Sequence, residues 1–271
     1  MDNQQRNYSI IVVTYNNADG LRRTLQSIRL LDYAQKEVVV IDGGSKDETL
    51  NIIAKHQDII TTSVSERDNG IYNAMNKGIR LVTGDYVVFM NAGDEFANPG
   101  LLSLVNGYDG DIILGGDIYG GQVRLPKETM TLYDILSIGI CHQAVYYRRE
   151  VLQKYGFDES YKLIADLKSV VEPFVKDRVR ISVVMEILAN CESGGLSKQR
   201  WRDTLTERRR MIDELVDPFY KDDYLRFSLI NNGMLYDFVV LSHFQSIFPL
   251  IKWLSNLMAF LNSKFKHIPI E

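Results

Sequence analysis

The chain has 271 residues, of which 45% are hydrophobic and 24% charged, and its formal net charge is −4. This is the composition of a globular protein with a sizeable core, and the slight acidic excess argues against a general nucleic-acid binder. The only cysteines, Cys141 and Cys191, form neither a CxxC motif nor a zinc-ligand spacing. That usage indicates a reducing compartment.

The first 115 residues alternate between strand-like and helix-like segments. Apolar, β-branched runs predict buried strands at 8–14, 37–42, 59–65, 86–90 and 111–115. The strand signal at 59–65 is weaker than the others. Between them, Leu21, Leu25, Ile28 and Leu31 recur at helical spacing, Ser45 and Glu48 are spaced as a helix capping box, and a further helix is predicted at 71–82. This alternation predicts an α/β fold with a doubly wound, mostly parallel sheet flanked by helices.

The pattern loosens after Gly116. Gly120-Gly121 is suited to a hairpin turn, and further elements are predicted as strands at 144–147 and 180–188 and as a helix at 163–174. From residue 198 onward the pattern is helical only. We therefore predict a domain at 1–197 and a helical C-terminal extension at 198–271.

Polar residues follow three early strands at the point where each strand ends, in the segments 14–17, 42–45 and 91–94. The carboxyl ends of parallel strands meet at one edge of a sheet, where open α/β folds bind ligands. A carboxylate at Asp42 could accept hydrogen bonds from a nucleobase or ribose, and Asp94 could ligate a hard divalent cation bound to a diphosphate. Taken alone, each has a structural alternative as a turn or capping residue.

Other nucleotide-binding signatures are absent, since neither GxGxxG nor GxxxxGK[ST] occurs in the chain. Asp166 lies in the first turn of the predicted helix at 163–174, where acids are common because they complement the helix dipole. His142 precedes a short strand, and a lone histidine in such a position is more often structural than catalytic.

Five blocks in order over residues 8–197 resemble glycosyltransferase family 2, whose members have a GT-A fold and invert the anomeric centre. The blocks are Val-Val-Thr-Tyr-Asn-Asn, Val-Ile-Asp-Gly-Gly-Ser-Lys-Asp-Glu-Thr, the segment 66–78, Cys-His-Gln-Ala, and Gly-Phe-Asp-Glu with Ile-Ala-Asp. The resemblance implies transfer of one sugar from a nucleoside-diphosphate sugar, with UDP-sugars favoured, to a glycan or lipid-linked hydroxyl acceptor. It also implies a role in cell-surface polysaccharide or glycan synthesis.

The resemblance further implies roles for individual residues. Asp166 would be the general base, Asp94 would bind Mg²⁺ or Mn²⁺, and His142 and Gln143 would lie on the acceptor side. The donor would be bound by Thr14, Tyr15, Asn16, Asp42, Gly44, Ser45, Arg67, Asp68, Asn73, Lys77, Asn91 and Ala92.

One departure from the family pattern concerns the metal site. The chain has Asn91-Ala92-Gly93-Asp94 where relatives often have two acids, so Gly93 leaves a single carboxylate. An inactive nucleotide-sugar or carbohydrate-binding module is therefore an alternative. A nicotinamide-dependent oxidoreductase is a third hypothesis, and the missing GxGxxG argues against it.

The C-terminal extension and the start of the chain bear on location. Residues 1–7 are polar and no uncharged apolar run reaches roughly 18 residues, so we expect no secretory signal and no spanning helix. Gln199-Arg200-Trp201 lacks the gap of the QxxRW motif found in processive synthases, which indicates a non-processive enzyme. An apolar stripe at 247–265 predicts a helix that packs in the protein or a homodimer, or else lies on a membrane surface. We expect a cytoplasmic protein, with peripheral attachment to the inner face of the membrane as the alternative.

Overall fold

The computed structural model describes residues 5–192 and 200–217. Nine strands are present in these residues: β1 (Tyr8–Thr14), β2 (Lys36–Asp42), β3 (Thr62–Ser65), β4 (Tyr86–Asn91), β5 (Glu95–Phe96), β6 (Ile112–Tyr119), β7 (Gln122–Arg124), β8 (Val145–Arg148) and β9 (Ile181–Cys191). The helices of the same residues are α1 (Ala18–Arg29), α2 (Thr49–Lys55), α3 (Ile71–Ile79), α4 (Leu101–Asn106), α5 (Leu132–Ile138), α6 (Arg149–Tyr155), α7 (Ala165–Asp177) and α8 (Trp201–Leu215), with a 3₁₀ turn at His142–Ala144.

The strands form one mixed sheet in the order β3-β2-β1-β4-β8-β6-β9-β5, and β7 pairs with β6 as a hairpin. Strands β3, β2, β1 and β4 are mutually parallel, β8 is antiparallel to both β4 and β6, and β9 is parallel to β6. Six strands therefore run in one direction. The predicted α/β fold with a doubly wound, mostly parallel sheet is confirmed, and so is the hairpin at Gly120-Gly121.

The core lies on both faces of the sheet because successive strand residues point to opposite sides. Along β1, Ile11 and Val13 pack on the face covered by α3, α5, α6, α7 and α8, whereas Ile10 and Val12 pack on the face covered by α1, α2 and α4. Residues on both sides are almost fully buried, which is why β1 has no polar residue before Thr14 except Ser9.

Several local predictions differ from the structure. The predicted capping box is wrong: α2 begins at Thr49, its N-cap Glu48 makes no side-chain capping bond, and the Ser45 hydroxyl binds Asp42 instead. Strand β3 starts at Thr62 rather than Ile59, and α3 ends at Ile79 rather than Val82. Strand β6 continues to Tyr119 because it pairs with β9 and β7 along its length.

Helix α8 belongs to the predicted C-terminal extension, and its Met211 and Ile212 are fully buried in the core beneath the sheet. The division at residues 197 and 198 stays a prediction. The stripe at 247–265 lies outside the described residues. Within 5–192 and 200–217, no helix combines the length and the apolar character that crossing a bilayer requires.

Candidate active site

The carboxyl ends of β2, β1 and β4 lie side by side at one edge of the sheet. In register, Thr14 of β1 is opposite Asp42 of β2, and Val13 is opposite Asn91 of β4. The chain moves outward from β1 to β3 and then returns to place β4 on the other side of β1, which makes this edge a topological switch point, the usual place for a ligand in such sheets. The predicted convergence of the three polar strand ends is present.

Asp42 holds the turn after β2. Its side chain is fully buried, and its carboxylate accepts hydrogen bonds from the Ser45 amide at 3.2 and 3.1 Å, from the Ser45 hydroxyl at 2.5 Å and from the Ser65 hydroxyl at 2.5 Å. Donors from its own chain thus reach both oxygens. Asp42 fixes the shape of this loop, while its direct contact with a nucleoside stays a prediction.

The loop after β1, which lies beside that turn, offers an exposed ring and an unpaired hydroxyl to a ligand. Asn16 adopts a left-handed conformation with φ 47°, its amide donates to the Ser45 hydroxyl at 2.7 Å, and its side-chain oxygen accepts from the Lys46 amide at 2.8 Å. The Tyr15 side chain is 63% exposed, and the buried Thr14 hydroxyl has no hydrogen-bond partner within the described chain. An exposed ring and an unsatisfied hydroxyl suit the stacking and hydrogen bonding of a base.

Two glycines let the loop at 66–68 approach the same turn. A Cβ atom on Gly43 would lie 2.5 Å from Asp68 Oδ2, and one on Gly44, whose φ is +81°, would lie 3.3 Å from the Arg67 amide nitrogen. Asp68 also accepts a hydrogen bond from the Gly70 amide at 2.9 Å. The structure therefore brings the predicted donor residues of three loops together.

Two residues of α3 that were predicted to bind the nucleotide-sugar donor, Lys77 and Asn73, form hydrogen bonds within the protein. Lys77 Nζ donates to the Arg67 carbonyl at 3.0 Å and lies 2.8 Å from a Glu66 carboxylate oxygen, so it braces the loop at 66–68. The Asn73 amide donates to Glu159 at 3.0 Å. These contacts give both side chains supporting positions, and their predicted contacts with the donor stay predictions.

The turn after β4 is fixed from α1. The Asn17 side chain donates to the Ala92 carbonyl at 2.8 Å, and the Thr24 hydroxyl donates to the Asp94 carbonyl at 2.7 Å while lying 2.9 Å from the Gly93 amide. Ala92 therefore contributes its backbone and no functional side chain. These bonds hold the Asp94 carboxylate in a defined position at the sheet edge.

The Asp94 carboxylate is buried between two segments that follow it by about 50 and 100 residues. Its Oδ2 accepts a hydrogen bond from the Gln143 amide, and its Oδ1 accepts one from the Glu192 backbone amide at 2.9 Å. Burial raises the pKa of Asp94, and the hydrogen bonds from Glu192 and Gln143 oppose that shift. Gln143, predicted on the acceptor side, thus lies directly against the predicted metal ligand.

Glu192 was not found from the sequence, yet its carboxylate lies where a side chain at position 93 would project. A Cβ atom on Gly93 would be 2.6 Å from Glu192 Oε2, and Gly93 has φ +114°. Arg23 of α1 forms an ion pair with the Glu192 carboxylate. A second carboxylate therefore lies over Gly93, the residue before Asp94, although the local motif has only one.

Asp166 lies at the centre of a second cluster. Its Oδ2 is 3.2 Å from His142 Nδ1, and its Oδ1 accepts hydrogen bonds from the Tyr72 hydroxyl at 3.0 Å and from the Leu167 amide at 2.9 Å. On its other side, His142 Nε2 lies 3.4 Å from Asn91 Oδ1. The contacts join the predicted base to the end of β4, and both the Asp166 and His142 side chains are partly exposed.

Tyr72 is a site residue that the sequence reading missed, although it stands inside the polar block at 66–78. Its ring stacks on Phe157 with centroids 5.7 Å apart, which aims the hydroxyl at Asp166. Burial, followed by the nearby Asp166 charge, raises the pKa of Tyr72 well above its ordinary value. It is therefore a neutral hydrogen-bond donor to the carboxylate across the physiological pH range.

Helix α8 fixes the segment that leads into Asp166. The Glu207 carboxylate accepts hydrogen bonds from the backbone amides of Lys162 and Leu163 at 2.8 and 2.9 Å. Arg208 donates to the Leu136 carbonyl at 2.6 Å, and burial lowers its pKa. The predicted extension thus supports the site, a contribution that helical periodicity alone does not reveal.

Comparison with known proteins gives consistent matches. The family model described as Glycosyl transferase family 2 matches residues 9–156. A PGL/p-HBAD biosynthesis glycosyltransferase of Mycobacterium bovis is 31% identical over 211 residues, covering 70% of this chain and 78% of the relative. The poly(ribitol-phosphate) beta-N-acetylglucosaminyltransferase TarP of Staphylococcus aureus is 26% identical over 156 residues, covering 54% of this chain and 48% of TarP.

Solved structures share the fold. TarS 1-349 of S. aureus in complex with UDP superimposes with a TM-score of 0.65 at 22% identity, covering 82% of this chain and 70% of that one. The mannosyltransferase PcManGT from Pyrobaculum calidifontis, in complex with GDP-Man and Mn²⁺, gives a TM-score of 0.64 at 17% identity over 96% and 86% of the two chains. These likenesses confirm the predicted GT-A fold.

Proposed function

The chain belongs to glycosyl transferase family 2, and we propose that it transfers one sugar from a nucleoside-diphosphate sugar to a hydroxyl acceptor with inversion of the anomeric centre. The observation that carries this proposal is the position of Asp166: its carboxylate is held by His142 and Tyr72 and joined through Asn91 to the sheet edge that bears Asp94. A positioned base beside a polar strand edge is what direct displacement requires.

In this reaction the acceptor hydroxyl loses a proton as it attacks the anomeric carbon. Asp166 Oδ2 accepts that proton, a contribution of about 10²–10⁴-fold to the rate when base and hydroxyl are in hydrogen-bond reach. His142 and Tyr72 orient the carboxylate so that its free lone pairs face the acceptor.

The donor nucleoside is assigned to the loops after β1 and β2. Tyr15 offers an exposed ring for stacking, Thr14 an unsatisfied buried hydroxyl, and Gly44 a backbone without a side chain in the way. A UDP-sugar is the first candidate. The TarS structure holds UDP and the PcManGT structure holds GDP-Man with Mn²⁺, so both bases belong in the donor test.

Asp94 suits a hard divalent cation, and the Glu192 carboxylate, which lies over the neighbouring Gly93, is the candidate second acid. Mg²⁺ or Mn²⁺ bound there would supply Lewis-acid stabilisation of the departing diphosphate. Gln143 and the Glu192 amide hold the Asp94 carboxylate for this role, and a cation bound there would compete with Arg23 for the Glu192 carboxylate. The carboxylate pair favours an active enzyme over the inactive binding module that Asn91-Ala92-Gly93-Asp94 had suggested.

Relatives named for PGL/p-HBAD biosynthesis and for poly(ribitol-phosphate) modification support an acceptor in cell-surface glycan synthesis, either a glycan or a lipid-linked one. We further propose a cytoplasmic location, with attachment to the inner face of the membrane as the alternative. The C-terminal segment would contact either the membrane or a second copy of the chain.

The deciding experiment incubates the purified chain with a panel of UDP- and GDP-sugars and with glycan and lipid-linked acceptors, with and without Mn²⁺. We expect release of the nucleoside diphosphate and a glycoside of inverted configuration, assigned from the anomeric proton coupling. A chain that binds nucleotides but forms no product with any pair, and hydrolyses none, would support the binding module instead.

A further inference from the structure

The two cysteines of the chain meet beside the turn after β4 that carries Asp94. Cys141 lies just before the 3₁₀ turn and Cys191 is the last residue of β9, and their Sγ atoms are 3.0 Å apart. Both thiols are unbridged. Fifty residues separate them along the chain, so the fold itself, rather than local sequence, has brought them into contact.

Each cysteine is connected to Asp94 through a single intervening residue. The Cys141 thiol donates to Gln143 Oε1 at 3.0 Å, and the Gln143 amide donates in turn to Asp94. Cys191 immediately precedes Glu192, whose backbone amide donates to the other Asp94 oxygen at 2.9 Å. The sulfur contact therefore closes a ring of side chains and backbone around the carboxylate.

We propose that Cys141 and Cys191 are a thiol–disulfide exchange site which reacts with a low-molecular-weight disulfide such as oxidised glutathione, and that closing the bond weakens the hold on Asp94. The first part stands on the thiol geometry alone. The second part rests on the proposed function, because it concerns the metal that Asp94 and Glu192 would bind.

The chemistry balances with one equivalent of oxidised glutathione. The Cys141 thiolate attacks one sulfur of glutathione disulfide, forming a mixed disulfide and releasing a first glutathione thiolate. Cys191 then loses its proton and attacks the Cys141 sulfur, forming the Cys141–Cys191 bond and releasing the second glutathione thiolate. The two cysteines are oxidised and the glutathione disulfide is reduced, and the sulfurs need to approach by about 1 Å.

The order of attack follows from exposure. Cys141 is half-buried and lines a cavity of about 100 Å³ next to the β6–β7 hairpin, whereas Cys191 is only 5% exposed. Burial shields the Cys191 thiol, so it is the slower nucleophile towards a molecule from solution. Cys191 therefore resolves the mixed disulfide rather than starting the reaction.

A metal site is the competing use of these thiols, because an Asp117 carboxylate oxygen and the two Sγ atoms lie within 4.8 Å of one another. Arg124, however, occupies that carboxylate, with Nε 2.9 Å from Asp117 Oδ2. The positive charge of this guanidinium beside the site disfavours a cation. The contacts thus support exchange over metal binding.

Oxidation has a defined structural consequence. The disulfide removes the Cys141 S–H, so Gln143 Oε1 loses its donor and the side chain that restrains Asp94 loses its anchor. One lost hydrogen bond between neutral groups corresponds to about a fivefold change in an equilibrium. We expect Mn²⁺ affinity to fall by about that factor in the oxidised protein.

The test titrates the full-length reduced protein with mixtures of reduced and oxidised glutathione, followed by alkylation and peptide mass spectrometry. Because the chain has only two cysteines, a protein lighter by two hydrogens identifies this bond. We expect it in the wild type and expect dithiothreitol to reverse it. Cys191→Ser should accumulate a Cys141–glutathione adduct, and Cys141→Ser should stay unmodified.

Three results would overturn the exchange site: both thiols remaining free at every ratio, a disulfide only between two chains, or co-purified zinc that protects both thiols. Mn²⁺ binding is read separately by electron paramagnetic resonance of the free ion. Cys141→Ser keeps a donor to Gln143 and should bind Mn²⁺ with or without oxidant, whereas Cys141→Ala should resemble the oxidised wild type. Equal Mn²⁺ affinity in both redox states would overturn the second part, and absence of Mn²⁺ binding even in the reduced protein would contradict the proposed function without touching the disulfide result.

Discussion

His142 Nδ1 lies 3.2 Å from Asp166 Oδ2, so the loop before β8 and the first turn of α7 meet through one pair of side chains. With Nδ1 protonated, the imidazole donates to the carboxylate and fixes its orientation. The other ring nitrogen lies 3.4 Å from the Asn91 side chain, which ties the pair to β4. A base oriented from two independent elements is set before the acceptor arrives, which lowers the cost of organising the reaction.

The first prediction concerns Asp166→Asn. The amide keeps the size of the side chain but cannot accept the acceptor proton, so we expect kcat to fall by about 10²–10⁴-fold. The dissociation constant for the nucleoside diphosphate should change by less than about twofold, because the hydrogen bonds of the Asp166 carboxylate go to Tyr72, His142 and Leu167 and not to the loops at 14–16 and 42–45. Steady-state kinetics and calorimetry measure the two quantities. Asp177→Asn, at the far end of α7, is the control and should retain full activity.

The second prediction concerns Tyr72→Phe, which removes one hydroxyl and keeps the ring stacked on Phe157. The Asp166 carboxylate would lose a charge-assisted hydrogen bond of about 1.5–3 kcal/mol, so we expect kcat to fall about 10- to 100-fold with little change in donor KM. Tyr155→Phe on α6 is the matched control. Equal kcat for the two variants would show that Tyr72 does not orient the base.

The sheet was largely predictable from sequence because buried parallel strands have a strong signature. Strand β1 was predicted at its observed bounds, since all seven of its residues are buried and all but Ser9 and Thr14 are hydrophobic. Strand β5 was missed because two residues, Glu95 and Phe96, carry no periodicity. The antiparallel pairing of β8 with β4 and β6 could not be predicted either, because the local sequence of a strand does not specify its distant partners.

The site was predictable where function lies in contiguous blocks and less so where it depends on distant contacts. The residues around Asp42 and Asp94 lie at strand ends, so their convergence followed from parallel topology. Glu192 and Tyr72 were missed for different reasons. Glu192 reaches Gly93 only after β9 is added to the sheet, and Tyr72 looked like any apolar residue of an amphipathic helix.

The third prediction uses Gly43, which packs beneath the loop at 66–68. A Cβ atom there would lie 2.5 Å from Asp68 Oδ2 and 3.2 Å from the Tyr15 ring. Gly43→Ala therefore has to displace both side chains, and we expect UDP affinity to fall by about tenfold, the effect of about 1.4 kcal/mol. The shift in melting temperature at saturating UDP reports the loss.

Gly100→Ala is the control for that variant, because the nearest atom to its Cβ would be 3.7 Å away, an ordinary contact. It should bind UDP as the wild type does. Unchanged UDP binding by a folded Gly43→Ala protein would place the nucleoside elsewhere on the sheet edge.

The fourth prediction concerns acid stability. Burial would raise the pKa of Asp158, but hydrogen bonds from Lys168 and Ser160 outweigh it and lower that pKa to about 2. A depressed pKa stabilises the folded state above the unfolded pKa of about 3.9, and this contribution is lost as pH falls towards about 2. Because Asp158 is partly solvated, we expect about 1 kcal/mol.

Urea unfolding of the wild type and of Asp158→Asn measures this contribution. The difference in free energy of unfolding should be about 1 kcal/mol at pH 5 and should vanish near pH 2. Asp19→Asn, which removes the exposed pair with Arg22, should show a smaller difference at both values. A gap between wild type and Asp158→Asn that does not depend on pH would contradict the depressed pKa.

The fifth prediction tests whether Glu192 supplies the acid that Gly93 lacks. Glu192→Gln keeps the backbone amide that donates to Asp94 and removes only the side-chain charge, so we expect Mn²⁺ affinity to fall by at least about tenfold. Glu95→Gln is the matched control, since Glu95 also approaches Arg23, at 3.9 Å, but does not lie over Gly93. Titration with Mn²⁺ measures both.

Restoring an acid at position 93 should not repair the site. Gly93 has φ +114°, which strains any other residue, and the new Cβ would collide with the Glu192 carboxylate 2.6 Å away. Gly93→Asp therefore has to expel Glu192 and disturb the turn, and we expect it to bind Mn²⁺ more weakly than the wild type. If Gly93→Asp bound Mn²⁺ more tightly, the acid at position 93 would be the effective ligand, and Glu192 would serve only as the partner of Arg23.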